Sequence, residues 1–389
     1  MGCVAVAGGR GGTGTEVTAK ERVFAVIAVL LGVLASLASL EIALRLLPVH
    51  TGVRLAPVTA RDPVAHLQPN EPYTFSTGWR FKNVNRGRIN NAGFVNDQDY
   101  RKQDAKPLLA VVGDSYIEAR MIPYPETLQG RLAKALANDF RVYSFAASGA
   151  PMSQYLIWAR QAVHDYGARA LIINVVLNDF DESYVDYRSN PVYWEYVADP
   201  DGQLRLRFFE YRQSTLRAVL SKSALARYLM INLKLEHYIQ TPPLWNASPP
   251  QASAAAGQSG SGAGNGEDAE ARRVRISLAV IDAFFRDLKA MVALAPERIL
   301  FLMDGFHYPE AAAGNAGSYV DRMRKAFLAK ATSLGYGSID LDPYFFARYR
   351  AQGETFEVPD DGHWNAIGHQ VAADAVLSSD FLARLRRAP

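Results

Sequence analysis

The chain has 389 residues, 49% of them hydrophobic, a formal net charge of +3 and a single cysteine, Cys3. So small a charge lacks the basic footprint of a nucleic-acid binder, and no nucleic-acid partner is expected. One cysteine excludes an intrachain disulfide framework and a cysteine metal cluster. The length suits one large domain with appendages, or two domains.

Residues 1–22 are rich in Gly, Ala and Thr and read as a disordered tail. No apolar segment precedes Cys3, which is given no role. Val23 to Leu40 is a run without a charge, and a helix can continue to Leu47 through Glu41 and Arg45. Those two stand four residues apart, so they can pair on one face near the interface. As a helix, 23–47 measures roughly 37 Å, enough to cross a bilayer. It is longer than the usual core of a signal peptide, so it reads as an uncleaved anchor in the lipid bilayer. Arg10, Lys20 and Arg22 precede it, which favours a cytoplasmic N-terminus and a domain on the periplasmic or extracellular side of a bacterial inner membrane; Arg45, Arg54 and Arg61 weaken that bias.

Residues 48–105 contain Pro, Asn and the turn-like Asn90-Asn91-Ala92-Gly93-Phe94, and are expected to wrap the main domain. From 106 onward strands and helices alternate. Strands are expected at 108–112, 141–145, 170–176, 298–303 and 338–341. Helices are expected near 126–137, 152–166, 274–294, 318–334 and 365–379. This pattern predicts an α/β domain, 106–389, with about five parallel strands between two helical layers. An insertion, 180–273, interrupts it. Tyr184, Tyr187, Tyr193, Trp194 and Tyr196 are expected to pack this insertion rather than line a groove. Its second part, 241–270, is Pro, Ala, Gly and Ser and reads as a flexible loop.

The chemistry begins at Leu108–Val112, which runs into Gly113-Asp114-Ser115-Tyr116. A serine where a buried strand turns into a helix sits at the carboxyl edge of a parallel sheet, where ligands bind. Ser115 can be a nucleophile if a base lies elsewhere, or Asp114 and Ser115 can simply cap the helix. Three more positions fall at the same edge. They are Ser148-Gly149 after the second strand, Asn178-Asp179 after the third, and Asp360-Asp361-Gly362-His363 near the C-terminus. His363 can take the proton of Ser115, and Asp360 or Asp361 can hold its tautomer. The Ser115 and Gly149 N–H groups and the Asn178 side chain can face an oxyanion; losing one such donor costs roughly 3 kcal/mol of barrier stabilisation. Taken singly, Gly149 is only a turn glycine, Asn178-Asp179 a cap, and Asp360 and Asp361 caps of the last long helix. His307 and His369 show no partner pattern. No metal site is expected, and no Gly-rich phosphate loop is present.

The four segments in this order resemble the blocks of the SGNH, or GDSL, hydrolase superfamily. Gly113–Tyr116 is similar to the nucleophile block, Gly149 and Asn178 to the two further oxyanion donors, and Asp360–His363 to the His block. Asp114 and Asp179 are supporting positions of those blocks. The resemblance implies a flavodoxin-like three-layer fold and no cofactor. Val176 stands where the family has a glycine. The family's usual spacing points to Asp360, whereas a membrane-associated branch that modifies exopolysaccharides points to Asp361; the run Asp-Gly-His-Trp-Asn resembles that branch, so Asp361 leads.

The expected function is a membrane-anchored serine esterase that removes O-acyl, typically O-acetyl, groups from an envelope or extracellular glycan. An O-acetyltransferase with a sugar hydroxyl as acceptor is the alternative. A silent glycan-binding or assembly protein comes next, and a lipase or thioesterase last. Oligomeric state and acyl group are left open.

Overall fold

A computed structural model describes residues 18–187, 192–235 and 266–387. The chain divides into two compact units at Leu47–Pro48. In the first, the helix Ala19–Arg45 opens on a capping box: Thr18 accepts from the Glu21 N–H, and Glu21 accepts from the Thr18 N–H. The helix is long and apolar enough to cross a membrane, and Phe24, Leu30, Leu31 and Leu34 are all exposed. Two boundaries differ from expectation. Residues 19–22 are not tail but first helical turn, because the capping box fixes the helix start at Thr18; 1–17 lie outside the described residues. The helix stops at Arg45 rather than Leu47, because Leu47 precedes Pro48, whose ring disfavours helical geometry before it. Arg45 Nε reaches Glu41 Oε1 at 2.8 Å, the expected i,i+4 pair.

The second unit is built on a five-stranded parallel sheet. Its strands are β3 (Leu108–Gly113), β4 (Arg141–Ala146), β5 (Ala168–Val175), β8 (Ile299–Met303) and β9 (Gly337–Asp340), in the order β4-β3-β5-β8-β9. β3 and β8 carry no polar side chain and are buried at every position because both faces are covered. Leu108, Ala110, Val112, Leu171, Ile173, Phe301 and Met303 face helices Met152–His164, Gly266–Met291 and Tyr319–Ser333. Leu109, Val111, Ala170, Ile172, Leu300 and Leu302 face helices Leu128–Ala135, Asp342–Gln352, Ala366–Leu377 and Asp380–Arg387. This is a three-layer α/β/α fold. Its strand order reverses between β3 and β5, and ligands of such sheets bind at that crevice.

Residues 48–105 carry an antiparallel hairpin, β1 (Pro72–Thr77) and β2 (Lys82–Arg88). They hold to the domain through buried groups: Phe94 joins the main core, and Trp158 Nε1 donates to the Ala65 carbonyl at 2.7 Å. A second hairpin, β6 (Glu195–Ala198) with β7 (Leu204–Arg207), lies in the insertion. Tyr184, Tyr193 and Tyr196 are buried there, and Trp194 Nε1 donates to the Pro63 carbonyl at 2.8 Å. These aromatics pack the insertion, as expected. The loop expected at 241–270 lies outside the described residues as far as 265. Its last five residues instead begin the helix Gly266–Met291, where the Ala/Gly/Ser composition gives way to better helix formers.

Candidate active site

Gly113 ends β3, and Asp114 caps the short helix Ser115–Glu118. Its carboxylate accepts the Tyr116 N–H at 3.0 Å, and its carbonyl accepts the N–H groups of Ile117 and Glu118. A Cβ at position 113 would stand 2.5 Å from Ile117 Cγ1, so the turn is as tight as glycine allows. This turn presents Ser115 half-buried at the carboxyl end of β3. Asp114 is buried, and burial pushes its carboxyl up to about 6.

His363 Nε2 lies 2.7 Å from Ser115 Oγ, and its Nδ1 bonds to Asp361 Oδ1. His363 thus reaches Ser115 across 248 residues of sequence. A tight turn makes this possible: the Asp361 N–H donates to the Val358 carbonyl, and the Val358 N–H to the His363 carbonyl. Tyr116 braces it, with its ring 5.0 Å from that of His363 and its hydroxyl donating to the Gly362 carbonyl at 3.3 Å. Burial disfavours a charged His363, but the Asp361 carboxylate beside it outweighs that and raises it above the ordinary 6.5. Burial likewise works against an ionised Asp361, yet His363, aided by the charge of Lys234, holds it below the usual carboxylate range.

Asp360 does not enter the triad. Its backbone sits in the left-handed region (φ 64°), which turns the side chain outward onto Lys82 Nζ at 2.8 Å. Nor do Asp360 or Asp361 cap the last long helix. Asn365 does so, accepting the Ile367 and Gly368 N–H groups.

Gly149 and Asn178 follow β4 and β5, the two strands flanking β3. Gly149 has φ 73°, a conformation that suits glycine. Asn178 occupies the N-cap of Asp179–Glu182, but its side chain makes no capping bond. Asp179 is fully buried and accepts from the Val176 N–H (2.8 Å) and the Tyr155 hydroxyl (3.0 Å). Burial pushes its carboxyl well up. It therefore shapes the Asn178 turn from behind.

Two supports were not foreseen. Glu118, three residues after the nucleophile, is buried and accepts both the N–H (3.2 Å) and the hydroxyl of Ser148, fixing the loop that carries Gly149. Its spacing to Ser115, one helical turn, was the available signal. His307 has its Nε2 2.8 Å from Asp304 Oδ1 and its Nδ1 2.6 Å from Glu357 Oε1. Burial opposes its charge, but the two carboxylates raise it to about 10. Trp364 Nε1 donates to Asp304 at 3.1 Å, tying this cluster to the residue after His363. Sequence spacing does not announce this cluster, because its two halves, Asp304 with His307 and Glu357 with Trp364, come from loops about 50 residues apart. His369 is buried and neutral, lowered to about 3 by burial, and its Nδ1 accepts the Leu128 N–H.

The Ser115–His363–Asp361 array lies at the carboxyl edge of the five-stranded parallel sheet, with Ser115 on a Gly-Asp-Ser turn, and this arrangement is similar to that of SGNH-type, or GDSL-type, serine hydrolases. Among solved structures the chain is similar to TesA (14% identity, TM-score 0.34, covering 69% of this chain and 96% of that one). It is also similar to a member of the lipolytic G-D-S-L family from Veillonella parvula (9%, TM-score 0.34, 69% and 96%). A third is the acetyl xylan esterase AlAXEase (12%, TM-score 0.35, 70% and 98%). No family model and no curated protein matches the chain.

Proposed function

We propose that the protein is a membrane-anchored serine esterase that removes O-acyl groups, acetyl above all, from a cell-envelope or extracellular glycan. The observation that carries this reading is the continuous hydrogen-bonded line Ser115–His363–Asp361. His363 accepts the Ser115 proton as the oxygen attacks the ester carbonyl, and returns it to the departing sugar hydroxyl. Asp361 keeps the Nδ1 proton in place and stabilises the imidazolium that forms. The Ser115 and Gly149 N–H groups and the Asn178 amide receive the oxyanion. Water then resolves the acyl-enzyme by the same base. The apolar helix Ala19–Arg45 supports anchoring in the bilayer, with the second unit on the periplasmic or extracellular side.

Full-length protein in detergent is treated with a fluorophosphonate probe and with p-nitrophenyl acetate. Labelling of the wild type is expected and is lost in Ser115→Ala, and ester turnover falls by about 10⁴-fold or more in Ser115→Ala and His363→Ala. Absence of labelling in the wild type overturns the catalytic reading and leaves a glycan-binding protein. Acetylated sugar appearing when an oligosaccharide is added marks the transferase course instead.

A further inference from the structure

The tip of the β1–β2 hairpin, residues 78–81, holds Trp79 out to solvent at 63% exposure. The tip is braced at considerable conformational cost. Phe81 and Asn83 both sit in the left-handed region (φ 54° and 53°), which is unfavourable for a side chain as bulky as Phe81. The Tyr228 hydroxyl donates to the Trp79 carbonyl at 3.2 Å, and its ring lies 5.4 Å from Phe81. On the other side Asn83 Nδ2 donates to the Pro359 carbonyl at 2.7 Å, and Lys82 pairs with Asp360. The hairpin tip is therefore fastened to the same turn that carries Asp361 and His363.

Between the tip and the turn lies a cavity of about 360 Å³, lined by Trp79, Arg80, Lys82, Asn232, Lys234 and Asp360. Three of these side chains are cationic against one carboxylate. The Arg80 guanidinium lies 4.5 Å from the Trp79 ring centroid. Lys234 is near enough to the catalytic acid to bear on its charge. An exposed indole offers a flat apolar face to the C–H face of a sugar ring, and the surrounding cations select a negative substituent. The volume fits a small-ligand subsite.

We propose that this cavity is a subsite for an acidic glycan, with one sugar ring against Trp79 and a uronate carboxylate held by Arg80 and Lys234. The inference rests on the reading of Ser115 as a glycan acyl-ester centre, and it assigns the charge class of that glycan.

The test is calorimetric binding of tetragalacturonate and of neutral cellotetraose to full-length Ser115→Ala protein in detergent. Tetragalacturonate is expected to bind at least tenfold more tightly at low salt, with the preference shrinking as salt rises. Arg80→Ala/Lys234→Ala is expected to abolish the preference, and Arg80→Lys/Lys234→Arg to keep most of it. Trp79→Ala is expected to weaken both sugars. All these positions are exposed, and thermal midpoints verify folding; Lys289→Ala, an exposed lysine on another helix, is the control for general charge. Equal affinity for the two sugars, no binding, or a preference that survives in the double variant overturns the proposal. Binding needs no turnover, so the two readings fail separately. A wild type that labels with fluorophosphonate but shows no sugar preference sinks only the subsite, whereas the reverse pattern sinks only the catalytic role.

Discussion

At the scale of single residues, adjacent aspartates acquire unequal roles through backbone conformation alone. Asp361 faces His363, whereas the left-handed backbone at Asp360 sends its carboxylate to Lys82. Asp361→Asn is expected to lower kcat/KM by about 10³–10⁴-fold, since the imidazole loses its tautomer and its counter-charge. Asp360→Asn breaks an exposed ion pair, worth at most about 1 kcal/mol, and is expected to cost under about tenfold. Steady-state hydrolysis of p-nitrophenyl acetate separates them, and similar losses would refute the assignment. The pH dependence follows from the same contact. His363 must be neutral to accept the Ser115 proton, and Asp361 raises it above the ordinary 6.5. The rate therefore climbs with pH, and its half-maximum falls above 6.5 in the wild type. A pH–rate profile with its midpoint below that value would contradict this.

Among the elements, the turn 357–365 decides whether the site exists. It is held on one side by Tyr116 and on the other by the buried cluster His307, Asp304 and Glu357, through Trp364. A buried cation between two carboxylates is strongly coupled to folding: removing it leaves unpaired charge, at about 3–5 kcal/mol. His307→Ala is expected to lose stability of that order in denaturant unfolding at neutral pH. The folded-state value of His307 is raised to about 10 from 6.5. Its stabilisation is therefore complete below about pH 6.5 and is lost as pH rises through about 10. Wild-type stability should fall over that alkaline range, and the His307→Gln protein should show a flatter profile. An unchanged slope in the variant would show that His307 is not the titrating group.

Over the whole molecule, the chain divides at Leu47–Pro48 into two compact units, one holding an apolar helix and the other the α/β domain. The full chain is expected in the membrane pellet, resistant to high salt and alkaline carbonate and released by detergent. Intact mass should include residues 1–47. A soluble product beginning after the helix would mean that the segment is a cleaved signal rather than an anchor.

Much of this architecture is legible in the sequence because it depends on local pattern. Apolar runs such as Leu108–Val112 announce strands buried on both faces, and Gly113-Asp114-Ser115 announces the nucleophile turn. The charge-free run from Val23 announces the long apolar helix. Asn178 is legible because parallel strands bring their carboxyl ends to one edge, and His363, which follows a helix, is legible through the resemblance of Asp360–His363 to the His block. What the sequence alone left open depends on backbone angles and on contacts between distant loops. The choice between Asp361 and Asp360 turned on a left-handed residue. The His307 cluster joins loops separated by 50 residues. The cavity beside Trp79 needs a hairpin at 78–81, a lysine at 234 and an aspartate at 360 to meet. Local composition sets the elements; only their packing decides which side chains share a dielectric environment, and therefore which of them can do chemistry.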